Sequence, residues 1–130
     1  MNDLSQSFGL SASGLKAQAT RLRLVSENIA NADTPGYRRK LTTFETELTS
    51  HGPTGEVRTG WVSLDQSDLT KVHDPSHPLA DATGSYDGSN VDLVVEIADA
   101  REAQRSYEAN LKMFDQARQM SRGLLDLLRR

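Results

Sequence analysis

The sequence contains no cysteine, so disulfides and thiolate chemistry are excluded and the chain is held by packing and polar contacts alone. Aromatic residues make up only 5% of its 130 positions, which leaves few large anchors and predicts a thin core in a single soluble domain. No apolar run approaches the length that crosses a bilayer. The opening Met1-Asn2-Asp3-Leu4-Ser5-Gln6-Ser7 has neither a basic region nor a continuous apolar stretch, and no cleaved Sec-type signal is expected from it.

The marks of catalysis are also missing. The chain carries no glycine-rich phosphate loop and no nucleophile elbow, and a Cys-His pair is impossible. His73-Asp74-Pro75-Ser76-His77-Pro78 gathers metal-like residue types, but its prolines keep the two histidines off a common helical face and no third ligand stands nearby. A rigid polar turn is expected there. Arg38-Arg39-Lys40 beside Tyr37 is a short basic run in an acidic chain, which reads as a solvated or protein-facing patch. We therefore expect no catalytic residue, cofactor, metal, small-molecule substrate or nucleic acid.

What is present is strongly patterned. Residues 1–44 carry six Lys/Arg against three Asp/Glu, residues 45–100 two against eleven, and residues 101–130 seven against four. An acidic middle thus separates two basic ends. It reads either as a solvated insert or as a source of salt-sensitive attraction between the ends and middles of neighbouring copies.

In the first segment Leu4, Phe8, Ala12, Leu15, Ala19, Leu22, Val25 and Ile29 recur at three- and four-residue intervals, which predicts a helix with one apolar seam, ending near Asn31. Gly9 and Gly14 fall inside it and soften its first half, each at about 1 kcal/mol relative to Ala. Thr34-Pro35-Gly36-Tyr37 then puts Pro where φ is fixed near −65° and Gly where a type II turn needs positive φ. The last segment predicts a second helix over 91–129, about 58 Å long at 1.5 Å per residue, with Asn90 as N-cap and Arg129 and Arg130 at its negative end. Val94, Ile97, Ala100, Tyr107, Leu111, Phe114, Ala117, Leu124, Leu127 and Leu128 form its seam. Between the helices only Val57 to Leu64 and Leu69 to His73 look like strands.

The expected fold is therefore mainly α. Long N- and C-terminal helices pack as a coiled coil around a small irregular, β-containing middle, with segments at 1–44, 45–90 and 91–130. One two-helix seam does not offset the ordering of so long a chain, so the helices are expected to be ordered largely by other subunits.

Asn28-Ile29-Ala30-Asn31-Ala32-Asp33-Thr34-Pro35-Gly36-Tyr37-Arg38 resembles the N-terminal signature of the axial proteins of the bacterial flagellum, those of rod and hook. Asp74-Pro75-Ser76-His77-Pro78-Leu79-Ala80-Asp81 with Gly84, and Ala103-Gln104-Arg105-Ser106-Tyr107-Glu108-Ala109-Asn110, are similar to the middle and C-terminal motifs of the small proximal rod proteins in that family. The likeness runs from about Phe8 to Leu128; where the family usually has Pro before Asn-Val, this chain has Gly88-Ser89-Asn90-Val91.

The resemblance implies a non-enzymatic subunit of the periplasm-spanning rod, the drive shaft that carries torque for motility. Its implied partners are other copies of itself, adjacent rod proteins and the flagellar type III export apparatus. An export element of the form Phe-x-x-x-hydrophobic is matched in outline by Phe8 and Ala12. The expected assembly seam is Leu4, Phe8, Leu15, Leu22, Val25 and Ile29 on the first helix, against Ile97, Tyr107, Leu111, Phe114, Leu124 and Leu128 on the last. Asn28, Asn31, Thr34, Pro35, Gly36 and Tyr37 form the signature turn that sets the angle at which the chain leaves the inner helix. The alternatives are a second type of small proximal rod protein that shares the signature, and a free coiled-coil adaptor.

Overall fold

Two helices dominate the computed structural model, which describes residues 3–129: α1, Asp3–Ala30, and α2, Leu93–Leu128. At 1.5 Å per residue they are about 42 and 54 Å long. They run antiparallel, because their contacts step in opposite directions along the two chains. Asn28 meets Glu96, Arg21 meets Asp99 and Glu102, and Phe8 meets Phe114 edge-on with ring centroids 5.2 Å apart. At Gly14 a Cβ would stand 2.5 Å from Asn110 Oδ1, so the missing side chain there is what lets the helices approach.

The shared seam is made of small and polar residues. On α1 the positions Leu4, Ser7, Ser11, Gly14, Gln18, Arg21, Val25 and Asn28 alternate by three and four, and each is buried or half-buried. On α2 the same holds for Glu96, Ala100, Ala103, Tyr107, Asn110, Phe114, Ala117 and Ser121. A three-four alternation keeps one stripe facing the partner along a helix pair. Among the described residues only Ala17, Leu24, Val25, Ala103 and Ala117 are buried apolar side chains, so the core is a narrow strip.

Three two-stranded antiparallel ribbons fill the middle. β1, Lys40–Leu41, pairs with β4, Ser63–Leu64; β2, Phe44–Thr49, with β3, Gly52–Thr59; β5, Lys71–His73, with β6, Ser85–Asp87. The β2–β3 hairpin lies against the first half of α1, where the Ser13 hydroxyl accepts the Val57 N–H at 3.1 Å and Gly9 makes room for the Glu56 carboxylate.

Several local expectations change. The N-cap of α2 is Asp92, whose carboxylate accepts the Val94 N–H at 3.0 Å, and Asn90 is engaged elsewhere. The run Val57 to Leu64 is split: its start closes β3, its end forms β4, and Trp61 stands exposed between them. Strand β2 was not expected. Arg129 caps α2, its N–H bonding the Leu125 carbonyl at 3.2 Å, and Arg130 lies outside the described residues.

Candidate functional site

The signature turn is folded into a polar junction. Asn28, one turn from the end of α1, is 1% exposed. Its Oδ1 accepts from the Tyr37 hydroxyl at 2.8 Å and the Lys40 N–H at 2.9 Å, while its Nδ2 donates to the Lys40 carbonyl at 3.0 Å and to Glu96 Oε2 at 3.4 Å. One side chain thus serves both backbone groups of Lys40 as a neighbouring strand would. A carboxamide can do this because it both donates and accepts; a carboxylate cannot donate.

Glu96 is fully buried and accepts from Arg39 Nε. An unpaired carboxylate there would carry a large desolvation penalty, and the guanidinium offsets it. The rest of the basic run also faces protein. Arg39 gives its backbone N–H to Asn90 Oδ1 at 2.6 Å, and Arg38 donates to the Asp65 and Ser67 carbonyls at 3.2 and 3.0 Å. Lys40 Nζ reaches Glu27 at 2.8 Å, and this bond holds the Glu27 carboxyl below the usual carboxylate range. Burial pushes the Tyr37 phenol up, so it stays a neutral donor to Asn28.

The turn itself is tied to the ribbons. Gly36 has φ 75°, the Tyr37 N–H bonds the Thr34 carbonyl at 3.1 Å, and the Gly36 N–H bonds the carbonyls of Asp87 and Gly88 at 3.2 and 3.0 Å. Asn31 accepts from the Thr34 hydroxyl at 3.1 Å and donates to the Glu27 carbonyl at 2.8 Å; Thr34 and Pro35 are exposed. The Ser89 hydroxyl bonds the Ala32 carbonyl, and Asn90 Nδ2 bonds the Asp65 carbonyl at 2.9 Å. The end of α1, ribbon β5–β6 and the start of α2 are thereby fastened at one angle.

The His73 to Pro78 segment is a turn in which the Asp74 carboxylate accepts from the Ser76 hydroxyl at 2.7 Å and His77 stacks on Tyr86 at 3.9 Å. The Ser76 bond holds the Asp74 carboxyl below its ordinary range, and a side-chain bond from Thr83 does the same for Asp81.

The expected seam residues part into three groups. Val25 is buried between the helices; Leu4, Phe8, Leu15, Leu22, Tyr107 and Phe114 are half-buried along its flanks. Ile29, Ile97, Leu111, Leu124 and Leu128 are exposed, as is Ala12. Those five leucines and isoleucines therefore do not form the seam within one subunit: small residues bring the backbones close and leave the large ones outside. The seam residues that sequence reasoning missed are Ser11, Gly14 and Gln18 on α1 and Glu96 and Ala103 on α2. Their heptad spacing was the available signal.

The steps from Asn28–Glu96 to Phe8–Phe114 put Asp3 near the level of residue 120, so α2 runs about two turns beyond α1. That overhang exposes Leu124, Leu125, Leu127 and Leu128 at 54, 52, 64 and 83%. The whole chain exposes 9234 Å², whereas a folded monomer of its 14.3 kDa exposes about 6,800 Å². Among the described residues no helix is long and apolar enough to cross a membrane.

Comparison with known proteins matches this architecture at both ends. Residues 10–38 fit the family described as flagella basal body rod protein, and residues 82–127 fit flagellar basal body rod FlgEFG protein C-terminal. The chain is 43% identical to a relative from Agrobacterium fabrum, covering 99% of this chain and 98% of that one. A Salmonella typhimurium relative is 34% identical over 87% and 89% of the two chains, and one from Bacillus subtilis 32% over 93% and 95%. The chain belongs to the flagellar basal-body rod protein family, and its role is that of a structural subunit of the rod. Each of the three relatives is the flagellar basal-body rod protein FlgC.

Proposed function

We propose that the chain polymerises through its two helices, with other copies and with adjacent rod proteins, into the wall of the proximal rod, and that torque passes through those contacts. Association supplies what the single subunit lacks. The exposed area exceeds that of a folded monomer of this mass by roughly 2,400 Å², the size of a large permanent interface. That excess is the observation that carries the reading.

In this account α1 and α2 pair as a coiled coil within the subunit, and Ile29, Ile97, Leu111, Leu124 and Leu128 meet neighbouring subunits, with Leu22 at the boundary of both contacts. The Asn28 to Tyr37 junction holds the angle between the helices and the ribbons, so that every copy presents the same surfaces. The segments 1–44 and 91–130 then form the rod core, and 45–90 stands outside it.

Passage through the flagellar type III export apparatus to the periplasm-spanning rod belongs to the same proposal. Phe8 and Ala12 are the candidate export element. In the folded subunit Phe8 rests on Phe114, so an unfolded chain presents it freely, and a core this thin favours unfolding for passage.

The test is complementation of a flagellated strain lacking its own FlgC. The chain is expected to restore swimming and to be found in isolated basal bodies. Leu22→Asp should be expressed at normal level and missing from them; normal swimming with that variant refutes the seam.

A further inference from the structure

Two surfaces of the chain lie outside the polar junction and, but for Glu102 at the edge of the second, outside the helix pair. The first surrounds Trp61, the chain's one tryptophan, which stands 94% exposed between β3 and β4. Val62 and Leu64 beside it are 47 and 49% exposed, and the recess at its foot is lined by Glu45, Arg58, Thr59 and Gly60. Its setting is acidic, since residues 45–90, which hold the ribbons and turns around it, carry eight Asp/Glu against two Lys/Arg.

The second surface is a shallow groove on the outer side of α2, lined by Val94, Ile97, Ala98, Arg101, Glu102 and Arg105. Val94 and Ile97 are 77 and 47% exposed, and among the described residues Arg101 and Arg105 have no ion-pair or hydrogen-bond partner. Apolar surface rimmed by unsatisfied charge marks an interaction site, and tryptophan and arginine are the residues that most often anchor one.

We propose that Trp61 of one copy seats in the Val94 to Arg105 groove of a second copy. The pairing rests on the self-assembly reading above and names the partner that Ile97 meets on a neighbouring copy. The two surfaces are complementary in both respects that matter. The indole supplies an apolar body for Val94 and Ile97 and a π face for a guanidinium. The acidic middle around it faces Arg101 and Arg105, so a groove with free cations meets a patch with surplus anions. A patch that meets a different patch on the next copy gives a head-to-tail contact, which propagates into a ring or helix and does not stop at a two-fold dimer.

The absence of cysteine makes the test direct. Val62→Cys and Ala98→Cys lie at exposed positions on the two surfaces and leave Trp61 and both arginines intact. The two single variants are co-expressed in the strain lacking FlgC, and isolated basal bodies are treated with a short bis-maleimide. A band of twice the chain's mass is expected from the mixture and from neither variant alone. Adding Trp61→Ala to the Val62→Cys copy, or Arg101→Glu with Arg105→Glu to the Ala98→Cys copy, should lower the linked fraction roughly tenfold. Basal bodies that contain both variants without the band overturn the Trp61 contact and leave the rod reading standing. A link from either single variant to a different protein overturns the choice of a second copy as occupant. Basal bodies devoid of the chain overturn both readings.

Discussion

At one end of the helix pair Asn28 and Glu96 are 1 and 0% exposed, enclosed by hydrogen bonds from Tyr37, Arg39 and Lys40; at the other, Leu127 and Leu128 are 64 and 83% exposed on an overhang. The first end buries polar groups and satisfies them; the second leaves apolar groups in water. Buried polar networks define geometry at the expense of desolvation, while exposed leucines add nothing until something covers them. The contrast assigns shape to the junction and association to the overhang. A subunit repeated many times needs a fixed shape before it meets its neighbours.

The largest effect should come from Glu96→Ala, which strips the counter-charge from a three-quarters-buried Arg39 guanidinium. Loss of about 3 kcal/mol is expected, read as a lower urea midpoint for the purified chain. A loss below about 1 kcal/mol would mean that the junction is as forgiving as a surface pair, and the contrast between the ends would fail. Asn28→Ala should come next, at about 2 kcal/mol, because it leaves both backbone groups of Lys40 without their partner. Hydrogen exchange locates this effect: the Lys40 amide should lose protection, while amides near Ala117 keep theirs.

How much of this was legible depended on whether a residue's partner was near in sequence. The second helix was expected over 91–129 and spans Leu93–Leu128, since periodicity and capping are local properties. The Pro35-Gly36 turn was equally readable, because positive φ at Gly36 is a demand of the turn itself. Asn90 and Asp92 are both good N-caps, and what separates them is the Arg39 amide, 51 residues from Asn90. Glu96 reads locally as an acid suited to a helix dipole, and its pairing with Arg39 spans 57 residues. The hairpin of β2 and β3 was present in the alternation Phe44-Glu45-Thr46-Glu47-Leu48-Thr49 before Ser50-His51-Gly52, yet short alternating runs with little apolar content carry a weak signal.

The seam was legible only in part, for a physical reason. Apolar periodicity weights large side chains, whereas this interface is set by Ser11, Gly14 and Ala103, whose smallness brings the helices together. Gln18 sits in the same stripe, and among the described residues its Oε1 is the one buried side-chain polar atom with no hydrogen-bond partner. Gln18→Leu should therefore raise stability by about 1 kcal/mol, seen as a higher melting temperature by circular dichroism. An unchanged or lower value would show that the middle of the seam needs a polar group, as the junction does.

The smallest effect on the isolated subunit is expected from Leu128→Asp, within about 0.5 kcal/mol of the parent in urea unfolding. Leu128 is 83% exposed and lies past the reach of α1, so its side chain gains little from folding in a lone chain. In the rod the same charge would be placed against a neighbour's apolar surface, and assembly should be lost although the subunit is intact. Recovery of this variant in basal bodies at the parent's level would remove the overhang from the assembly surface. A large loss of monomer stability would break the comparison from the other side, because the bare end would then already have a partner within its own chain.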